Sequence, residues 1–291
     1  MKNKKIGTIG LGRMGGGIAK NLIKKGFDVT GFDLNPSAMD KFIAIGGKKA
    51  DNIDNIINDC DIIMTCLEGK TYIYVAEKIL LPKANKGQVF IDNSTVPCPK
   101  TREIGQAFIQ KDCSYLDAPV SGFSTGADAG TLRIFIGGAP EDVKENLSIF
   151  EAVGNPEKIV HCGSIGMGQA AKVVQQLTTR FTDVARMEVM TFGLRSGLEL
   201  DILMKALDVN SNSDDPYSKL CSKIQNNNTK ELSGIISEWP YYIEEIKSKG
   251  FRMPMLESMY EFCKDAEKRW VDPVGRAVPS IWDTLINYKR K

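Results

Sequence analysis

Three groups of residues have types and spacings that can do chemistry. Gly10, Gly12 and Gly15 form G-x-G-x-x-G in "IGLGRMGG". That spacing lets a chain turn tightly, lets backbone approach a pyrophosphate and lets a helix pack close against a strand. Asp33 follows at about the twenty-residue distance at which an acid receives the hydroxyls of an adenosine ribose. It has a plainer reading as the opening of the turn "DLNP". The second group is "DAPVSGFSTGADAGTL", Asp117 to Leu132, dense in Ser, Thr and Gly. It reads either as a flexible loop or as a loop that holds a carboxylate with N–H groups and hydroxyls. The third is "GSIGMGQAAK", which puts Lys172 one turn into a helix, on the face of Gly168, Gln176 and Thr179. By type alone a helical lysine is a solvated surface residue.

The elements around these groups decide what they can do. "KKIGTIGLGRMGGGIAKNLIKKGFDVTGFDLNP" reads as strand, glycine turn, helix, strand. Ile6 to Ile9 are a short β-branched run, Met14, Ile18 and Leu22 recur at helical spacing, Gly26 stops the helix, and "FDVTGFD" alternates. Further strand patterns lie in "CDIIMTCL", "QVFIDNS", "SYLDAP" and "LRIFIGG", with helical patterns between them at the spacing of a parallel sheet. The glycine motif therefore sits between a strand and a helix, the context that makes it a dinucleotide site. An acid at Asp33 repels a ribose 2′-phosphate, and Leu34 and Asn35 offer no arginine to bind one, so NAD is favoured over NADP. From Gly163 the pattern changes to helices: one of nearly thirty residues, then segments over 201–208, 217–226, 231–249 and 254–269, broken at "NSNSDDP", Pro240, Pro254 and Pro273. "NNNTK" reads as a loop between helices. The expected fold class is α/β: an N-terminal Rossmann domain with a doubly wound parallel sheet, residues 1–162, and an all-helical C-terminal domain, residues 163–291.

Composition narrows the function classes. With 291 residues, 42% hydrophobic and 25% charged, the chain has the make-up of a globular protein. A net charge of +2 without a basic run argues against nucleic acid, and no stretch is long and apolar enough for a membrane span or signal-peptide core. A cytoplasmic protein with a small-molecule partner is expected. The seven cysteines contain no C-x-x-C pair and read as buried thiols. His161 is the single histidine, so metal sites built on a His pair are excluded, no metal is expected, and acid–base work falls to lysine or carboxylate.

Over nearly its whole length the chain resembles the β-hydroxyacid dehydrogenase family, through "GLGRMGGGIAKNL", "DAPVSGFSTGADAGTL" and "GSIGMGQAAK" in that order. The resemblance implies an NAD-dependent oxidoreductase in which Lys172 passes a proton to or from the substrate oxygen, its pKa lowered by burial. It implies that Gly10, Leu11, Gly12, Arg13, Met14, Gly15, Asp33, Leu34, Asn35, Cys66, Leu67, Ser94 and Thr95 border the cofactor. Ser121, Gly122, Phe123 and Gln176 would meet a small hydroxy acid or semialdehyde, and a homodimer or homotetramer is implied. The chain departs from the family at three places. Gln176 stands for the usual asparagine, Ser237 and Glu238 for a Lys-Asp pair, and Glu68 for a proline. Arg180, two turns after Lys172, is the candidate to replace the missing cation. Two rival readings are a reductase of another carbonyl or imine lacking a β-carboxylate, and a non-catalytic NAD-binding protein. The terminal "EKRWVDPVGRAVPSIWDTL" reads as a packed helix or a cleft edge.

Overall fold

The computed structural model describes residues 4–209, 215–225 and 239–266. Its nine-stranded sheet comprises β1 (Lys5–Ile9), β2 (Asp28–Phe32), β3 (Lys48–Lys49), β4 (Ile62–Thr65), β5 (Val89–Asp92), β6 (Ser114–Asp117), β7 (Val120–Ser121), β8 (Leu132–Gly137) and β9 (Gly154–Gly163). The order is β3-β2-β1-β4-β5-β6-β8-β7, with β9 against β8. From β3 to β6 every pairing is parallel, and the chain reverses its winding between β1 and β4. Ligands of doubly wound sheets bind beyond the strand ends at such a reversal.

Alternation along each strand explains the two-sided core. Ile62, Met64, Ile91 and Leu116 join Ile18 and Leu22 on one face, while Ile63, Phe90 and Tyr115 join Ile56 and Phe108 on the other. The first helix, Gly15–Lys24, buries Ile18 and Leu22 and stops at Gly26. Gly26 takes φ +86°, and the Phe27 N–H returns to the Leu22 carbonyl at 3.1 Å. Asn35 and Asn52 cap the helices Pro36–Ala44 and Ile53–Asp59 through their side chains.

Two features lie outside the strand pattern read from the sequence. β8 runs antiparallel to β6 and β7. The link from Ser121 to Leu132 holds only the short helix Phe123–Ala129 and a left-handed Gly130, too little chain for a parallel crossover. The segment read as loop or carboxylate holder is thus a strand end and a helix. β9, "GNPEKIVHCG", has no counterpart among the expected strands: as an edge strand it pairs with β8 alone and leaves charged residues outside.

After β9 the described residues are helical: Met167–Arg195, Leu200–Ala206, Pro216–Gln225, Trp239–Ser248 and Pro254–Ala266. Gly193 does not end the long helix; a Cβ there would overlap Leu203, so it admits the neighbouring helix. Pro240 lies in a first helical turn, where proline is tolerated, rather than breaking a helix. The expected segments 231–238 and 267–269, the loop "NNNTK", most of "NSNSDDP", Ser237, Glu238 and all of the terminal segment with Pro273 lie outside the described residues.

By packing, the chain forms two compact units, Met1–Val174 and Gln175–Lys291, which divide inside the long helix. The expected boundary after residue 162 falls at the end of β9; the first turns of the long helix pack with the sheet. No helix among the described residues is long and apolar enough to cross a membrane.

Candidate active site

The glycine turn leaves β1 at the winding reversal. Gly10 has φ +90°, and a Cβ there would overlap the Cys66 carbonyl, at the end of β4. A Cβ on Gly15 would overlap the Gly10 carbonyl, so the start of the first helix lies directly on the turn. Around Gly12 a Cβ would meet no protein atom within 4 Å, and the residue is exposed. Folding therefore explains Gly10 and Gly15. Open space at Gly12 is what a phosphate-bearing ligand needs for close approach to the backbone.

Asp33 satisfies both of its sequence readings. Its Oδ2 accepts the Leu11 N–H at 2.6 Å, and its Oδ1 accepts the Asn35 N–H at 2.8 Å as an Asx turn. Each carboxylate oxygen retains a lone pair for a sugar hydroxyl. Asp33 and Leu34, 87% exposed, border a cleft of about 650 Å³ that continues over Ile53, Leu67 and Tyr74. An apolar slot with a carboxylate at its rim fits a heteroaromatic base joined to a sugar. The sequence reading missed Ile53, Thr71 and Tyr74, and the Lys83–Asp54 ion pair, 2.6 Å, at its edge. They come from helices whose approach to β2 is tertiary.

Arg13 is exposed beside Gly12, and Met14 packs half-buried on the core. Arg13, Lys20, Lys41 and Ser37 line a second groove of about 560 Å³ next to Asn35; of its cations, Lys20 and Lys41 were not singled out from sequence. Across the reversal, the Leu67 N–H donates to Ser94 Oγ at 3.0 Å. Burial pushes the Cys66 thiol up to about 12, so it is not a nucleophile at neutral pH. Glu68, where the family has proline, caps the helix Gly69–Val75 by accepting the Thr71 N–H at 3.1 Å. Ser94 is buried and Thr95 half-buried at the end of β5.

Lys172 is 5% exposed, and its Nζ donates to the Val120 carbonyl at 2.8 Å. The plain reading of a solvated lysine fails. The amine lies at the β7 backbone immediately before Ser121, so the structure brings the second and third sequence groups together. Gly122 has φ +142°, and Phe123 has φ +56° with 76% of its surface exposed. A non-glycine residue in the left-handed region is strained, and such residues gather at functional sites. Gln176 and Arg180 follow Lys172 by one and two turns on the same helix, both half-buried, in the second unit.

Two buried carboxyls beneath this region were not singled out from sequence. Asp92 and Asp117 end β5 and β6 and are register partners. Burial pushes Asp92 up to about 7, against the lowering effect of Ser94 and Thr65, which donate to its Oδ1; the Asp117 charge raises it further. Burial likewise pushes Asp117 up to about 7, opposed by N–H groups at the start of the long helix. The signal was present in "VFID" and "SYLD", two apolar strands each ending in aspartate. His161 Nε2 lies 3.0 and 3.1 Å from the Gly138 and Gly163 carbonyls, holding the end of β9.

Fold and site define a Rossmann-type dinucleotide-binding protein. The family model for the NAD binding domain of 6-phosphogluconate dehydrogenase matches residues 5–168. A probable mitochondrial 3-hydroxyisobutyrate dehydrogenase of Dictyostelium discoideum is 34% identical over 200 residues, 68% of this chain and 62% of that protein. The NAD-dependent L-serine dehydrogenase of Pseudomonas aeruginosa is 33% identical over 207 residues, 70% of this chain and 69% of that protein. The alignments thus span about two thirds of these relatives' length or slightly less. The structure of Mycobacterium tuberculosis 3-hydroxyisobutyrate dehydrogenase with L-serine superposes with a TM-score of 0.82 at 25% identity, covering 97% of this chain and 99% of that one. The chain belongs to the β-hydroxyacid dehydrogenase family and carries an NAD-binding domain.

Proposed function

We propose that the chain is an NAD-dependent dehydrogenase that reversibly oxidises a small β-hydroxy acid to its semialdehyde or keto acid. The observation that carries this reading is Lys172: an amine 5% exposed, held on the Val120 carbonyl beside Ser121, on a dinucleotide-binding domain. The relatives named for 3-hydroxyisobutyrate and L-serine both take acids with a hydroxyl on the β-carbon, which supports the substrate class.

Gly12, Arg13 and the first helix would hold the cofactor's phosphates, Asp33 its ribose, and the cleft of Leu34 and Leu67 its base. When bound, NAD supplies the two-electron step by taking up or returning a hydride. This chain's own part is proton transfer and orientation. Lys172 takes the hydroxyl proton in oxidation and returns it to the carbonyl oxygen in reduction. Ser121 and Gly122 hold the substrate carboxylate. Ser94 and Thr95 border the nicotinamide. A cytoplasmic location and a homodimer or homotetramer belong to the same proposal; exposed Val189 and Phe192 on the long helix support a subunit contact.

The test is oxidation of NADH and of NADPH against a panel of semialdehyde acids, keto acids and simple aldehydes. NADH-preferring turnover of a carboxylated semialdehyde is the expected result. Turnover restricted to carbonyls or imines without a carboxylate overturns the substrate class, and NADH binding without any turnover overturns the enzyme reading. A preference for NADPH would assign Arg13 and Lys41 to a 2′-phosphate.

A further inference from the structure

The start of the long helix is fastened to the sheet through one buried carboxylate. Asp117, fully buried at the end of β6, accepts the Gly166 N–H on Oδ1 at 2.7 Å and the Gln169 N–H on Oδ2 at 2.9 Å. The first N–H groups of a helix lack partners within it and carry the positive end of its dipole. Here they converge on an anion from another element, where the usual cap is a neighbouring Ser, Thr or Asn.

The surrounding glycines are shaped to that carboxylate. A Cβ on Gly168 would fall 2.8 Å from Asp117 Oδ2 and 2.5 Å from the Phe135 carbonyl, and one on Gly137 would overlap Oδ1. Gly168, before Lys172, and Gly137, on β8, therefore make room for Asp117. Gln169 adds a second tie. Its amide donates to the Ser94 carbonyl at 2.8 Å and accepts the Val96 N–H at 3.3 Å. The short segment from Asp117 to Val120 is itself fixed. The Ala118 N–H donates to the Asp92 carbonyl, Asn93 Nδ2 to the Ala118 carbonyl, and the Phe135 N–H to the Pro119 carbonyl, at 2.7, 2.8 and 3.2 Å.

One rigid stretch thus holds both the helix start, through Asp117, and the amine of Lys172, through the Val120 carbonyl. We propose that Asp117 is the positioning residue for Lys172, setting the helix register that places the ammonium at Val120 and Ser121. Misplacement of a reacting group by about 1 Å costs on the order of a hundredfold in rate. This inference rests on the reading of Lys172 as the proton-transfer residue.

The experiment compares Asp117→Asn, Lys172→Ala and wild type for kcat, substrate KM, NADH Kd and the pH dependence of kcat. In Asp117→Asn the amide Nδ2 must face an N–H donor, so the helix start is pushed away. A kcat lower by tenfold or more, with NADH Kd within twofold of wild type, is expected. In the reduction direction the basic limb of kcat should also move to lower pH, because the hydrogen bond that favours the ammonium is lengthened. A purely structural role would lower the melting temperature without moving that limb. An unchanged kcat and limb in Asp117→Asn, alongside an inactive Lys172→Ala, overturns this proposal alone; an active Lys172→Ala overturns the reading it rests on. If Asp117→Asn does not fold, Gly168→Ala, whose methyl presses on Oδ2, carries the same comparison with the same expected and contrary results.

Discussion

Lys172 has almost no contact with solvent, and its amine is held on the Val120 carbonyl. In the proposed reaction it must take up and release a proton within one catalytic cycle. Phe123, three residues after Val120, is also out of place: it keeps φ +56° and buries little of its ring. Phe123→Gly should relieve the strain and raise stability by about 1 kcal/mol or less, since added freedom of the unfolded chain offsets part of the gain. Thermal unfolding checks this, and a lower melting temperature would mean that the ring is held by contacts. By type alone Lys172 reads as a solvated residue, and it is the family resemblance that implies a catalytic role for it. Its hydrogen-bond partner was not legible, because Val120 is fifty-two residues away. Asp92 and Asp117 were missed for the same reason: an aspartate at a strand end is ordinary until parallel register sets two side by side.

The elements divide the glycine motif into a folding part and a binding part. Gly15→Ala puts a methyl into the Gly10 carbonyl and should destabilise the domain by roughly 1–3 kcal/mol, as overpacking does. Gly12→Ala meets no protein atom, so the melting temperature without ligand should stay within about 1 °C of wild type, while NADH Kd rises about tenfold or more. Thermal shift with and without NADH separates the two, and equal destabilisation by both variants would contradict the division. Periodicity made this βαβ unit legible, along with the long helix, whose 29 residues match the length read from sequence. It failed for β9, where proline and charge interrupt the apolar pattern of an edge strand. It failed again over Phe123–Ala129, whose Ser, Thr and Gly content gives no helical stripe. β9 is held by β8, and Phe123–Ala129 by its packing on the first helix, rather than by local propensity.

For the whole molecule, the buried carboxyl pair sets a pH dependence of folding. Asp92 is near its ordinary 3.8 when unfolded and at about 7 when folded, so between these values the folded chain binds more protons. Its contribution therefore falls as pH rises through that window, by up to about 1.4 kcal/mol per pH unit, and is constant above it. Asp92→Asn keeps the acceptor for Thr65 and Ser94 and removes the titration. Denaturant unfolding at pH 5 and pH 8 should show a smaller difference in the variant than in wild type. An equal difference would mean that Asp92 stays ionised throughout.

The reading of the whole chain as an enzyme turns on Lys172→Ala, assayed by single-turnover oxidation of bound NADH with the best carbonyl substrate of the panel. The expected result is a loss of about 10²–10⁴ in rate at unchanged NADH affinity, the range for removing a positioned acid or base. A rate within threefold of wild type would contradict the role assigned to this lysine, and with it the proposed chemistry.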